Sequence, residues 1–205
     1  MAQRPPLLLL TALPLMFGEG FSLDSGGSKA LTALESRYRV LPISTSSAAE
    51  LAKGKLLLMA QPLAQTPENL VALDEWVRRG GRLLLLADPR LEWPSERPLG
   101  DRLRPPLMFM DTGLLAHWGL RLDAPDDRGA VSREIGSYDV VAVSPGSLEG
   151  KCTISPDRLV AHCAVGRGHA TIVADADLIG TEHLGDGAGA NLDAVLSELA
   201  KLEQH

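Results

Sequence analysis

Four acidic residues, Glu19, Asp88, Asp175 and Asp177, occupy positions from which they can do chemistry together. Each follows an apolar run that reads as a strand, and in an open parallel sheet ligands bind beyond the carboxyl ends of the strands. Carboxylates gathered on such a rim offer hard oxygen ligands to Mg²⁺ or Ca²⁺, or acceptors to sugar hydroxyls. An Asp after a strand also has a commoner use, capping the next turn through its side chain. The four are therefore ligand-binding candidates only. No catalytic residue or metal ligand is assigned, and no cofactor is expected.

Other reactive residue types lack the company they need. A nucleophilic cysteine requires a strand-to-helix elbow, a histidine to take its proton and an acid to orient that histidine. Cys152 stands beside Thr153-Ile154, and Cys163 lies inside an apolar strand pattern at 159–165. Neither Gly-x-Cys-x-Gly nor Gly-x-Ser-x-Gly occurs, so an elbow is missing. With no CxxC and no Cys/His ligand spacing, the two cysteines read as half-buried cytosolic thiols, not as a disulfide framework or a zinc module. His162 and His169 straddle a Gly-Arg-Gly turn without a third ligand, while His117 neighbours Trp118 and His183 sits in a polar loop. Trp76, Trp93 and Trp118 occur in separate contexts and read as core or loop anchors. A non-enzymatic protein is the expectation.

The elements that position these residues follow from periodicity and punctuation. Thr66 caps a helix with Pro67 at its first position, and Leu70, Leu73, Trp76 and Val77 share one face. Arg78 and Arg79 suit the negative end of the helix dipole, Gly80 or Gly81 ends it, and residues 83–87 form an apolar run covered on both sides before Asp88-Pro89 stops it. Upstream, 6–11, 38–43 and 56–60 read as strands, with helices capped by Ser28 and by a Ser47/Glu50 capping box. Alternating strands and helices predict a parallel sheet with right-handed crossovers. The glycine-rich loop at 12–27 contains neither GxGxxG nor GxxxxGK[ST], so a nucleotide site is not indicated.

Residues 90–110 interrupt the rhythm with prolines at 94, 98, 105 and 106 and read as a long surface excursion. Asp111 caps a helix ended by Gly119, 120–122 reads as a short strand, and 124–137 reads as polar and irregular. Segments 138–143, 151–154, 159–165 and 170–174 follow without long helices between them, which predicts an antiparallel extension. A closing helix buries Leu192, Val195, Leu196 and Leu199.

With 205 residues, 45% hydrophobic content and a formal charge of −6, the chain is expected to form a single domain, 1–205. Its scattered basic residues argue against nucleic acid or an anionic membrane surface as partner. Residues 7–16 have the apolarity of a secretory core. Arg4 is the only basic side chain nearby, however, prolines interrupt the stretch, and no small-x-small site follows, so 6–11 reads as the first strand. No apolar run approaches the roughly 20 residues of a spanning helix.

Three segments together resemble a family. ALDEWVRRGGRLLLLADP, LLAHWGLRL and VGRGHATIVADAD are similar to the helix-GG-strand-DP unit, the next helix and the glycine turn, strand and Asp-x-Asp of gliding-motility-type auxiliary proteins of ABC transport systems. The resemblance spans roughly residues 30–200. It implies a domain similar to class I glutamine amidotransferases and ThuA-like proteins, with a flavodoxin-like three-layer α/β sandwich and no enzymatic activity. It also implies ABC transporter subunits as protein partners, reached without a direct membrane span, and leaves a homodimer open. The implied location is cytoplasmic, peripheral to the inner membrane, with export as the alternative if residues 1–20 act as a signal segment. A ThuA-like sugar-binding protein or enzyme using the acidic rim is the competing reading. Under the first reading, removing 93–105 should abolish partner binding and leave stability nearly unchanged.

Overall fold

The computed structural model describes residues 4–16 and 27–204. Strands β1 (Pro6–Thr11), β2 (Arg39–Pro42), β3 (Leu56–Ala60) and β4 (Arg82–Leu86) alternate with helices α1 (Lys29–Arg37), α2 (Ala48–Leu51) and α3 (Pro67–Arg78). Beyond the excursion come α4 (Leu114–His117), β5 (Leu120–Asp123), β6 (Ala130–Ile135), β7 (Tyr138–Val143), β8 (Ser147–Gly150), β9 (Thr153–Ile154), β10 (Val160–Val165), β11 (Gly168–Val173) and α5 (Asn191–Glu203).

One seven-stranded sheet runs β2-β1-β3-β4-β11-β10-β9. Its first five strands are parallel, and β10 and β9 extend it antiparallel. The order through β4 is that of a flavodoxin-like doubly wound sheet. The sheet is therefore the mainly parallel α/β architecture with the antiparallel extension that the strand pattern predicts. Since β1 to β2 steps one way and β2 to β3 to β4 the other, right-handed crossovers put α1 opposite α2 and α3. Accordingly α1 packs with α5, and α2 with α3.

Central strands have no solvent side, which is why they read as continuous leucine runs. All of β3 and Leu83–Leu86 are buried, as are Leu7–Leu10 in β1. Helix ends follow their caps: the Thr66 hydroxyl accepts from Asn69 N, and Gly80 adopts φ +109° where α3 stops.

Three expectations are corrected. Residues 124–137 are not wholly irregular, because β6 pairs with β7 from Ala130↔Val143 to Ile135↔Tyr138. Its polar, alternating sequence is that of a strand outside the main sheet. The strand expected at 151–154 is shorter, while β8 just before it pairs with β5. Finally, Cys152 and Cys163 form a disulfide with Cα atoms 4.8 Å apart. The antiparallel register Thr153↔His162 sets Cys152 opposite Cys163, a juxtaposition created by tertiary pairing and not by spacing. Closing a loop between residues 11 apart contributes about 3 kcal/mol in the chain-entropy account.

Candidate functional site

The structure brings three of the four acidic candidates together where β4 and β11 end side by side. Glu19 lies outside the described residues. A fourth carboxylate comes instead from Glu92, which the excursion folds back over the strand ends.

Each aspartate holds backbone in place. Asp88 Oδ1 accepts from Arg90 N at 2.7 Å and its Oδ2 from Ala176 N at 3.0 Å, so one carboxylate joins the turns after β4 and β11. Asp175 Oδ1 accepts from Leu178 N at 2.7 Å, and its Oδ2 from Val143 N at 2.6 Å. Asn191 bonds the same outer edge of β7, accepting from Val141 N at 2.9 Å and donating to Val141 O at 2.8 Å. In this way the β6–β7 ribbon is hung on the end of the main sheet by two side chains. Asp177 Oδ2 accepts from Glu92 N at 2.7 Å, and the Ser144 hydroxyl donates to Glu92 Oε1 at 2.7 Å.

Two strained residues support this cluster. Gln61 and Ser144 adopt φ +42° and +47°, left-handed values uncommon outside glycine. Gln61 lies at the end of β3, where its amide takes Asp88 N at 3.0 Å and donates to Asp88 O and Pro106 O, both at 3.1 Å. Phe109 N adds a 2.6 Å bond to Asp88 O, and Leu91 N donates to Leu107 O at 2.9 Å. Both ends of the excursion are thereby clipped beside Asp88. Between them Trp93 is buried, its ring edge-on to His183 at 5.0 Å and so close to Gly180 that a Cβ there would lie 2.5 Å from it. Trp93 is thus core, which corrects the expectation that 93–105 can be removed without loss of stability.

Burial sets the electrostatics. It pushes the Asp88 carboxyl up to about 6 against the pull of its backbone amide bonds, with Glu92 adding repulsion. Burial likewise raises Asp177 to about 7, with Asp88 and Glu92 as further causes. Asp175 is raised well above the ordinary range by burial and by the neighbouring Asp88 charge. A raised folded-state value means that the folded protein binds protons more tightly than the unfolded chain. Stability from these groups is therefore complete below about pH 4, declines as pH rises through 6 to 7, and stays low above.

One oxygen of Asp177 has no hydrogen-bond partner among the described residues, so an amide can replace the carboxylate and still accept from Glu92 N. The displacement from 3.8 to about 7 caps the gain from Asp177→Asn at about 4 kcal/mol, and solvent screening reduces it to about 1–2 kcal/mol at pH 8. Thermal unfolding across pH should show a stabilised variant at pH 8 and little difference near pH 4. A variant less stable than the parent at pH 8 would mean that the charge itself is needed.

Among the described residues, no group of three or more His, Cys, Asp or Glu side chains is arranged to hold a metal ion. The cluster sits two strands from the β1/β3 position where the strand order reverses, the usual ligand crevice of such sheets. Sequence reasoning missed Glu92, Gln61, Ser144 and Asn191. The Gln61-Pro62 stop after β3 was the one local signal, since a chain leaving a central strand that abruptly needs an unusual residue at the turn.

A family model described as "Domain of unknown function (DUF4350)" matches residues 21–194. No curated protein matches the sequence. Among solved structures, the fold is similar to the mmIFT52 N-terminal domain, with 15% identity and TM-score 0.59 over 95% of this chain and 97% of that one. Cytoplasmic Protein STM3548 from Salmonella typhimurium is similar at 14% identity and TM-score 0.59, covering 96% of this chain and 98% of that one. Exo-beta-1,4-mannosidase Op5Man5 from Opitutaceae bacterium strain TAV5 matches at 13% identity and TM-score 0.55 over 98% of this chain. This chain spans only 36% of that glycosidase, and at these identities the likeness is one of fold alone.

Proposed function

We propose a role from the premise that this chain belongs to the DUF4350 family: it is a non-catalytic binding module that docks a protein partner on the excursion. The observation that carries the reading is where apolar surface is left uncovered. Of the seven large hydrophobic side chains exposed among the described residues, Leu99, Leu103, Leu107, Met108 and Met110 all lie on the excursion. Leu63 adds to them, since the Gln61–Pro106 bond draws the end of β3 to the excursion. Exposed apolar groups concentrated in one segment mark interaction surfaces, whereas scattered ones do not. The aspartates below support the same reading, for both oxygens of Asp88 and of Asp175 and one of Asp177 are taken by backbone amides. Asp88 and Asp177 hold the start of the excursion in place through Arg90 N and Glu92 N.

The partner class follows from the resemblance of residues 72–89, 114–122 and 165–177: a subunit of an ABC transport system. Among the described residues no helix is long and apolar enough to cross a membrane, so attachment would pass through that subunit. The Cys152–Cys163 bond supports an oxidising compartment, hence the exported alternative over the cytoplasmic one. Alkylation of the native chain should label neither cysteine until reductant is added. Labelling without reductant would overturn that placement.

The docking reading is tested by mild-detergent affinity recovery of a C-terminally tagged chain from native cells, with mass spectrometry of what comes down. Permease or ATPase subunits are expected, and Leu103→Ser combined with Met108→Ser should lower their recovery about tenfold. Val71→Ser, on the exposed face of α3, serves as the control and should change nothing. Recovery of the chain alone, or equal recovery with the double variant, would sink the reading.

A further inference from the structure

Helix α5 packs on β3, β4 and β11 and reaches β10 through the Glu198–His162 contact. Beside its C-terminal turn lies a half-open cleft of about 540 Å³, a volume usual for small-molecule sites. Its polar lining is Thr153, His162, His169, Thr171, Lys201 and Gln204, set against an apolar floor that includes Ala164 and Leu202. The register explains the convergence: Thr153↔His162↔Thr171 and Ala164↔His169 put these residues on one face of three adjacent strands. His169 also pairs with Arg82 at the start of β4, so the cleft is at the opposite end of the sheet from the carboxylate cluster.

Glu198, buried next to this cleft, decides what the lining can offer. Its Oε2 is 2.8 Å from His162 Nε2 and its Oε1 2.6 Å from Lys201 Nζ. Burial opposes its charge, yet the hydrogen bonds from His162 and Lys201 hold its carboxyl below the ordinary range. It is therefore an ionised acceptor, His162 donates to it through Nε2–H, and Lys201 spends one of its three N–H bonds. Two N–H groups of Lys201 remain. Thr171 is only 2% exposed as a residue, and it lines the cleft from the floor of the sheet. Thr153 and the Gln204 amide add further donors at the rim, and none of the lining residues is a carboxylate.

We propose that this cleft binds the oxyanion group of a small molecule, a carboxylate or a phosphate, with Lys201 as its charge partner and the Thr171 hydroxyl as a donor from the sheet. The apolar floor accommodates a short carbon body. This site is independent of the docking surface on the excursion.

The test is an NMR titration of the whole protein, following histidine ring signals with inorganic phosphate and, separately, with succinate. At least one probe should produce saturable shifts at His162 and His169 while leaving His117 and His183 unmoved. A response to phosphate alone identifies a phosphorylated ligand class, and one to succinate alone a carboxylate class. Lys201→Met should weaken binding at least about tenfold. Thr171→Val, which keeps the side-chain shape and leaves the Glu198 pair intact, should weaken it about threefold to tenfold. Absence of saturable shifts up to about 20 mM of either probe, or unchanged binding in Thr171→Val, would overturn the proposal.

Discussion

Replacing Gly168 by alanine is expected to cost the fold about 3 kcal/mol or more. A Cβ at this position would stand 2.0 Å from the Val77 carbonyl oxygen and 2.3 Å from that of Gly81. Both obstacles are backbone, so no rotamer change relieves them. Room can be made only by lifting the β10–β11 turn off the end of α3. That movement breaks Arg167 N to Arg78 O at 3.0 Å and His169 N to Gly81 O at 3.2 Å, and with them the start of the β4–β11 ladder. Urea unfolding should separate Gly168→Ala clearly from Gly189→Ala, whose new Cβ meets nothing within 4 Å. The latter should stay within about 0.5 kcal/mol of the parent. Equal midpoints for the two variants would contradict the docking of this turn on α3.

Trp93→Ala should cost about 3–5 kcal/mol, the range for emptying a large aromatic seat. The ring closes the space between the excursion and the turn after β11, where Gly180 is cut back to admit it. Truncation therefore also frees the excursion downstream. Tryptic cleavage after Arg102, an exposed residue on that segment, should accelerate together with the drop in urea midpoint. If both stay at parental values, the excursion is held by its clips at Asp88 alone. The expected loss also sets a limit on how the binding surface can be probed, since variants must be confined to exposed positions such as Leu103 and Met108.

How much of this was legible beforehand depends on whether the decisive interaction is local. The Thr66-Pro67 start, the Gly80 stop and the leucines of β4 are decided within a few residues of themselves, and all appear where the sequence puts them. Asp88, Asp175 and Asp177 were legible as residues that follow strands, because strand-end position is again a local property. Their actual partners were not, since Asp175 reaches Val143 in a ribbon more than thirty positions earlier in the chain. Strand β6 escaped for a different reason: its partner β7 is adjacent in the chain, but its alternating sequence is polar on a ribbon outside the main sheet and carries little apolar signal. Glu92 enters the cluster only because the excursion returns to Asp88, and the disulfide exists only because β9 and β10 adopt one register. Electrostatic character was hidden as well, because the high carboxyl values arise from burial that no spacing reveals.

The pairing of β4 with β11 has a consequence for synthesis. A ribosome that has released residues up to Leu86 has produced four neighbouring parallel strands, with the leucines of β4 at the outer edge and their ladder partners not yet made. That edge stays open until Val173 emerges, and parallel pairing across so long a separation is slow. An unprotected apolar edge strand is a template for pairing with other chains. During that interval the nascent half-sheet exposes this edge, and its own C-terminal third then takes the seat that a second molecule would otherwise occupy.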